Sequence, residues 1–190
     1  MNQQDEPTGN QQEAVILVDG CDQPVGVMEK MEAHRRAVLH RAFSVFIFNS
    51  KGEMLLQQRA KEKYHSAGLW TNACCSHPRP GEDTREAAAR RLREELGFST
   101  PLEKLFEFTY RSAYENGLTE YEFDHVFVGT HDQDIFPDRA EVSDCRFLSL
   151  PEIEAELRLA PERFTSWFQL AFPLVKEKIG LLSAYSQRFS

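Results

Sequence analysis

Residues 76–98 read SHPRPGEDTREAAARRLREELGF, and this stretch decides the fold. Its centre has the composition and the boundaries of an α-helix. Asp83 precedes the run and Glu86 follows three residues later, which is the arrangement of a capping box. Gly97 lies where a helix commonly ends on a left-handed residue. The pattern therefore predicts a helix from about Thr84 to Leu96.

The predicted helix has two distinct stripes, because side chains four residues apart share a face. The first stripe is apolar and should pack in the core; it consists of Ala88, Leu92 and Leu96. The second stripe should face a binding pocket; it consists of Ala87, Arg91 and Glu95. We therefore expect one helix to contribute both to the core and to a site.

The spacing of this stretch resembles a Nudix box. That pattern runs Gly, five residues, Glu, seven residues, then Arg-Glu-apolar-x-Glu-Glu-x-Gly-apolar, and its carboxylates hold divalent metal against a diphosphate. Here Ser76 replaces the opening glycine, and Arg91 replaces the first glutamate after Arg90. A guanidinium binds phosphate oxygens, whereas the glutamate that it replaces would bind metal. The resemblance thus implies a diphosphate pocket adapted to a reaction other than hydrolysis.

The chain as a whole resembles the type 1 isopentenyl-diphosphate isomerase family, whose members have the Nudix fold and move a double bond within a five-carbon diphosphate. The likeness extends from about Val15 to Trp167. Besides the box, the segments that carry it are His34-Arg-Arg-Ala-Val-Leu-His40, Arg41-Ala-Phe-Ser44, Trp70-Thr-Asn-Ala-Cys-Cys-Ser-His-Pro78, Glu120-Tyr-Glu122 and Phe164-Thr-Ser-Trp167. The resemblance implies an α/β fold, a Nudix-type α/β/α sandwich with mixed sheets and flanking helices. It also implies interconversion of isopentenyl and dimethylallyl diphosphate through a tertiary carbocation, in isoprenoid biosynthesis.

Two other functions remain open at this point, a Nudix hydrolase and a non-catalytic binding module of the same fold. Arg91 and the Cys75–His77 pair weigh against hydrolysis, because a hydrolase gains from additional metal carboxylates and has no need of a thiol. A complete set of two proton carriers weighs against a mere binding module, because binding alone does not require them.

The resemblance implies a metal site with five protein ligands, His34, His40, His77, Glu120 and Glu122. Because successive side chains of an extended segment alternate in direction, Glu120 and Glu122 should share a face. The six-residue separation of His34 and His40 does not fit one helical face, so we expect a loop or turn between them. Nitrogen and oxygen ligands in this number suit octahedral Mn²⁺, with Zn²⁺ or Mg²⁺ as alternatives. Glu95 would bind a separate Mg²⁺ together with the substrate diphosphate.

The two proton carriers implied by the resemblance are Cys75 and Glu122, with Tyr110 assisting the carboxylate. Moving an unactivated double bond requires protonation of one carbon and deprotonation of another. In an extended segment Cys75 and His77 point the same way, so Cys74 should point to the opposite side and be a buried structural residue.

The remaining implied contacts bind the substrate. Lys30, Arg59, Lys63 and Arg91 are assigned to the diphosphate. Trp167 is assigned to the carbocation, because the face of an indole ring attracts positive charge. Trp70 is the alternative tryptophan, although an aromatic residue beside a turn more often serves packing.

Composition sets the wider limits. With 190 residues and 41% hydrophobic content, the chain should form one compact domain over residues 14–190, preceded by a disordered polar tail at residues 1–13. A net charge of −8 argues against a nucleic-acid or anionic-membrane partner and favours a small-molecule substrate held by a few local cations. The four cysteines form no CxxC pair, and no apolar run is long enough for a signal peptide or a membrane span. We therefore expect a cytoplasmic protein with reduced thiols.

Hydrophobic patterning predicts the other elements. A hairpin should join Ala14–Asp19 to Val25–Glu29 through a turn at Asp19-Gly20. The further predicted strands are Ala42–Asn49, Met54–Arg59, Leu105–Tyr110, Tyr121–Thr130 and Cys145–Leu148. A short helix should follow at Pro151–Leu157, and a longer one from Pro161 to about Ser186.

Overall fold

The computed structural model describes residues 14–63 and 65–188. The predicted tail at residues 1–13 lies outside this part of the chain. The strands are β1 (Ala14–Val18), β2 (Pro24–Glu29), β3 (His40–Phe48), β4 (Met54–Arg59), β5 (Trp70–Thr71), β6 (Cys74–Ser76), β7 (Glu103–Ala113), β8 (Thr119–Thr130) and β9 (Val142–Leu148). The helices are α1 (Lys30–Arg36), α2 (Thr84–Leu96), α3 (Leu150–Leu159) and α4 (Ser166–Arg188).

The strands form a mixed sheet centred on β3. The order along one path is β2-β1-β3-β4-β5, while β6 and β8 also pair with β3, β7 pairs with β8, and β9 pairs with β4. The β3–β8 pairing is parallel and the other pairings are antiparallel. Strand β3 is buried along most of its length and apolar from Val45 to Phe48, as expected for a strand covered on both sides. The predicted α/β architecture with mixed strands and flanking helices is confirmed.

Apolar side chains on both faces of the sheet hold the helices in place. On one face Phe43, Val45 and Ile47 pack against α2. On the opposite face Phe46 and Met54 pack against α3 and α4, because neighbouring side chains of a strand point to opposite sides. The buried residues of α4 in this second cluster are Trp167, Phe168, Ala171, Phe172 and Val175. Each fully buried large apolar side chain contributes about 1.5–3 kcal/mol, so burial on both faces stabilises the sandwich.

Helix α2 begins and ends where the sequence predicts. The Asp83 side chain accepts hydrogen bonds from the backbone N–H groups of Arg85 and Glu86, at 2.9 and 3.1 Å. Gly97 ends the helix with a φ of 78°, in the left-handed region that favours glycine. An added Cβ at this glycine would lie 2.6 Å from the backbone oxygen of Phe136. Both the left-handed backbone and this steric clash therefore exclude a side chain at position 97.

The two predicted stripes of α2 are only partly as expected. The apolar stripe of Ala88, Leu92 and Leu96 is fully buried. Arg91 and Glu95 line a pocket, but Ala87 packs in the core with the apolar stripe instead of facing that pocket. Ala87 is fully buried in the cluster that joins α2 to the sheet, where its small methyl side chain fits.

Three local features differ from the sequence predictions. The sequence did not predict α1, which Glu29 caps by accepting hydrogen bonds from the N–H groups of Met31 and Glu32. The turn of the first hairpin involves residues 19–23, with Asp22 in the left-handed region at a φ of 61°. The terminal helix begins at Ser166 and not at Pro161, because residues 161–163 form a separate 3-10 turn.

None of the helices within the described ranges combines the length and the apolar character needed to cross a membrane.

Candidate active site

His34 and His40 are brought together by the end of α1. The helix stops at Ala37, whose φ of 50° lies in the left-handed region, and β3 begins at His40. The two imidazole ring centroids are 5.1 Å apart. The chain thus leaves the helix between the two histidines, as their spacing predicts, and both rings are buried.

Four residues converge on one point where β3 begins and β6 ends. His34, His40, His77 and Glu122 each offer a ligand atom, and these atoms all lie within 4.8 Å of one another. His77 Nε2 is 3.0 Å from Glu122 Oε1, and His40 Nε2 is 3.5 Å from the same oxygen. His40 lies directly opposite Glu122 in the parallel β3–β8 register, which fixes this approach. Such a cluster could hold a metal ion.

The donor atoms of this cluster fit a metal. His40 Nδ1 lies 2.8 Å from the carbonyl oxygen of Val38, so Nδ1 carries the proton and Nε2 presents its lone pair. His40 Nε2 is buried and makes no hydrogen bond within the described part of the chain. Burial, with the charge of His77 next, lowers the pKa of His34 to about 3. Burial also lowers the pKa of His77. These two imidazoles, of His34 and His77, are therefore neutral at pH 7, which is the form that binds metal.

Glu120 lies beside this cluster and not within the group of four. Its carboxylate accepts a hydrogen bond of 2.6 Å from the Tyr114 hydroxyl and lies 3.0 Å from the hydroxyl oxygen of Tyr110. His65 Nε2 is 3.2 Å from its other oxygen. Burial, and then the charge of Glu122, raises the pKa of Glu120. Of the five predicted ligands, the structure brings four together and holds the fifth next to them through a shared tyrosine.

That shared tyrosine is Tyr110. Its hydroxyl donates a hydrogen bond of 2.7 Å to Glu122 Oε2, and the two residues are register partners in β7 and β8. Burial raises the pKa of Tyr110, so the phenol stays a hydrogen-bond donor. Burial opposes ionisation of Glu122, but the neighbouring imidazoles of His40 and His77 together more than offset it and hold its pKa below the usual range.

Cys75 lines the same pocket, whereas Cys74 is buried in the core on the α2 side. The two thiols point to opposite sides of β6, as the sequence predicts. Cys75 Sγ donates a hydrogen bond of 3.0 Å to Asn72 Oδ1 and lies 3.5 Å from Ser44 Oγ. Burial and then the negative charge of Asp124 raise the pKa of the Cys75 thiol. Cys75 is therefore a protonated thiol in this setting.

The four basic residues predicted to bind diphosphate all line this pocket, namely Lys30, Arg59, Lys63 and Arg91. The Nε atoms of Arg59 and Arg91 are buried, and no hydrogen-bond acceptor for them lies within the described residues. A buried N–H group without an acceptor is costly, and the oxygens of an anionic ligand would satisfy it.

Carboxylates balance the charge of these cations. Lys63 forms an ion pair with Glu141, and Arg91 Nη2 lies 3.4 Å from the same side chain. Arg91 Nη2 also donates a hydrogen bond of 2.7 Å to Glu95, which is 4% exposed and accepts a further bond from Gln57. Burial disfavours the charge of Arg91, but the surrounding acidic groups, with Glu95 first and Glu141 among the others, together raise the pKa of the guanidinium.

Trp167 also lines the pocket, and Trp70 is not among the lining residues within the described ranges. The Arg59 guanidinium carbon is 5.2 Å from the centroid of the Trp167 ring. Trp70 instead packs beneath Arg146, whose guanidinium carbon is 4.1 Å from its ring. Of the two tryptophans, Trp167 is the one placed to face a substrate.

Sequence reasoning missed several lining residues, which are Ser44, Gln57, His65 and Glu141. Ser44 and Gln57 occur inside predicted strands that gave no reason to single out a polar side chain. His65 is one of six histidines in the chain and could have been noted for its residue type. Glu141 lies in no recognisable motif, and only the folded chain brings it to Lys63 and Arg91.

Comparisons with known proteins give the family that the sequence resembles. A profile described as the NUDIX domain matches residues 38–168. Isopentenyl-diphosphate Delta-isomerase of Pectobacterium atrosepticum is 53% identical over 165 residues, covering 86% of this chain and 91% of that protein. Isopentenyl-diphosphate Delta-isomerase 2 of Photorhabdus laumondii is 49% identical over 157 residues, covering 83% of this chain and 89% of that protein.

Solved structures resemble the fold at low sequence identity. A Deinococcus radiodurans crystal structure covers 80% of this chain and 92% of its own, with a TM-score of 0.66 and 22% identity. A MutT protein from Methanosarcina mazei covers 74% and 94%, with a TM-score of 0.62 and 21% identity. The NUDIX profile agrees with the observed architecture. The sequence identity to the two isomerases agrees with the residues that the structure assembles in the pocket. The chain therefore belongs to the NUDIX domain family and, within it, to the family of isopentenyl-diphosphate Delta-isomerases.

Proposed function

We propose that the protein is an isomerase of the cytoplasm that interconverts isopentenyl diphosphate and dimethylallyl diphosphate in isoprenoid biosynthesis. The observation that carries this proposal is that one pocket holds a thiol, Cys75, and a carboxylate with its tyrosine, Glu122 and Tyr110. A double-bond shift needs two groups that can give and take protons, and these residues supply them.

The proton balance of the reaction assigns two tasks to these residues. One proton adds to the terminal carbon of the double bond and leaves a tertiary carbocation; a second proton departs from the neighbouring methylene carbon. Glu122, held by the Tyr110 hydroxyl, carries the proton on one side of the substrate, and Cys75 carries it on the other. Trp167 faces the cation with a ring that attracts positive charge without acting as a nucleophile.

The metal assignment is part of the proposal. Mn²⁺, or alternatively Zn²⁺, would be held by His34, His40, His77 and Glu122, with Glu120 as the fifth ligand. When bound, such an ion fixes the orientation of Glu122 and alters its acidity. Glu95 would hold Mg²⁺ together with the diphosphate.

The basic side of the pocket binds the diphosphate. Arg59 and Arg91 have buried Nε donors without acceptors in the described chain, and these would bind phosphate oxygens. Lys30 and Lys63 add point charges. Arg91 lies where a hydrolase of this fold would place a metal-binding glutamate, which favours retention of the diphosphate over its cleavage.

Product analysis tests the proposal. The metal-loaded protein is incubated with isopentenyl diphosphate and, separately, with nucleoside diphosphate sugars. Formation of dimethylallyl diphosphate without release of phosphate supports the isomerase. Cleavage of the nucleotide substrates without isomerisation would instead identify a hydrolase, and no turnover of either would leave a binding module.

A further inference from the structure

Asn72 is fully buried at the turn between β5 and β6, and its amide group is fixed in one orientation. Its Nδ2 donates hydrogen bonds to two backbone carbonyl oxygens, of Val45 at 3.0 Å and of Cys74 at 2.9 Å. Both partners are acceptors only, so the nitrogen end must face them. The oxygen end must then point the other way.

The Asn72 oxygen is directed at the thiol of Cys75. Oδ1 accepts a hydrogen bond of 3.0 Å from Cys75 Sγ and another of 3.0 Å from the hydroxyl of Thr71. The other polar partner of the thiol, Ser44 Oγ, lies at the longer distance of 3.5 Å. Ser44 already donates its proton to Asp124, at 2.7 Å. Asn72 is therefore the closest and best-fixed partner of the sulfur.

From this geometry we propose that Asn72 is a positioning residue that holds the Cys75 thiol in the orientation required for proton transfer. It is not among the described residues that line the pocket, so its effect on the substrate would pass through the Cys75 sulfur. A proton carrier must lie within hydrogen-bond reach of its carbon, and a displacement of about 1 Å can lower a rate by about a hundredfold. The inference rests on the proposed function, because it takes Cys75 as a proton carrier.

The position of Asn72 also predicts which kinetic constant responds. Its hydrogen bonds go to Val45, Cys74, Cys75 and Thr71, and none goes to Arg59, Lys63 or Arg91, three of the four residues proposed to bind the diphosphate. Its removal should therefore leave KM unchanged and lower kcat, which is the sign of an interaction that matters to the transition state and not to binding.

The test compares Asn72→Ala and Asn72→Ser with wild type. The serine hydroxyl lies where asparagine has Cγ, one bond short of Oδ1, so it does not reach Sγ, and this more polar variant serves if the alanine variant fails to fold. Asn49→Ala is the matched control: it removes an asparagine amide that bonds Glu53 at 2.6 Å in the β3–β4 turn, away from the pocket lining. We expect kcat to fall by about tenfold to a hundredfold in the Asn72 variants. KM should stay within about twofold. The Asn49 variant should keep both constants.

A second readout follows the thiol itself. In a Cys74→Ala background, alkylation of Cys75 by iodoacetamide at one fixed pH is measured by peptide mapping. The Asn72 variants should react several times faster, because the sulfur has lost the acceptor that confines it. A folded Asn72 variant with wild-type kcat, or with an unchanged alkylation rate, would overturn the inference. Absence of isomerase activity in wild type would overturn the proposed function alone, since the alkylation measurement still tests the contact.

Discussion

Tyr110 and Glu122 lie directly opposite each other on β7 and β8, and the tyrosine hydroxyl donates a 2.7 Å hydrogen bond to the glutamate. Because both residues sit in regular strands, the pair is held by backbone pairing as well as by the side-chain bond. Sites on strands are more rigid than sites on loops. The sheet therefore supplies the orientation of the proposed proton carrier on this side of the pocket.

Tyr110→Phe should lower kcat by about tenfold to a hundredfold and leave KM nearly unchanged, because the phenol supports Glu122 and not the diphosphate. Steady-state kinetics with isopentenyl diphosphate measures both constants. Tyr114→Phe is a useful comparison, since Tyr114 bonds Glu120 and not Glu122. An equal loss in both variants would argue against a special role for Tyr110.

Cys75→Ala and Cys75→Ser should abolish most turnover while the protein stays folded, because a hydroxyl is a far weaker acid than a thiol near neutral pH. Cys74→Ala should keep activity and lose about 1 kcal/mol of stability, because it leaves a small cavity in the core. Thermal unfolding and kinetics separate the two effects. If replacing Cys74 abolished activity and replacing Cys75 did not, the assignment of Cys75 as the proton carrier would be wrong.

Arg91→Glu should raise KM by about tenfold or more, because it replaces a phosphate partner with a like charge beside Glu95 and Glu141. The kinetic comparison is with Arg93→Glu, which changes the same charge on the exposed side of α2. Diphosphate hydrolysis gained at an unchanged isomerase KM would show that Arg91 does not contact the substrate.

Metal content should depend on the histidine cluster and not on Glu95. Without substrate, His77→Ala and Glu122→Gln should lose the bound ion, because each removes a ligand from a group whose atoms lie within 4.8 Å. Glu95→Gln should keep it, because a single carboxylate binds weakly until phosphate oxygens complete the site. Metal analysis after dialysis gives the result, and retention of the ion in both cluster variants would refute the site.

Acid should destabilise the metal-free protein in a defined window. Burial lowers the pKa of His34 to about 3 in the folded state. The unfolded value is about 6.5. Between these values the unfolded chain binds more protons, so stability falls as the pH drops from about 6.5 towards 3. Melting temperatures of the EDTA-treated protein should show this slope, and His34→Gln should flatten it. The same slope in the variant would mean that other groups cause the acid sensitivity.

Local signals explain which elements the sequence predicted correctly. Helix α2 was predicted to the residue because its Asp83 cap and its Gly97 end both act within a few positions of the chain. Helix α1 was missed because it has only seven residues, and because glutamate is an unusual side chain for the capping role of Glu29. Its position depends on contacts with β8 and β2 that no local pattern reveals.

Some features of the site also follow from local sequence, whereas others depend on tertiary packing. Cys75 and His77 were predicted to share one side of an extended segment, and this needs only the alternation of a strand. The placement of Glu120 against Tyr114 and His65 depends on how β8 meets the loop after β4, which is a matter of tertiary packing. The role of each of these residues in catalysis stays a prediction.

Carboxylates of the protein already form ion pairs with cations on the basic side of the pocket. Lys63 is already neutralised by Glu141, and Arg91 by Glu95 and Glu141. Under the proposed function, a diphosphate would replace these carboxylates as the partner of the cations, and the released carboxylates would become available to a divalent ion. The Mg²⁺ proposed at Glu95 would thus bind together with the diphosphate, and this part of the pocket should bind either one weakly when it is supplied without the other.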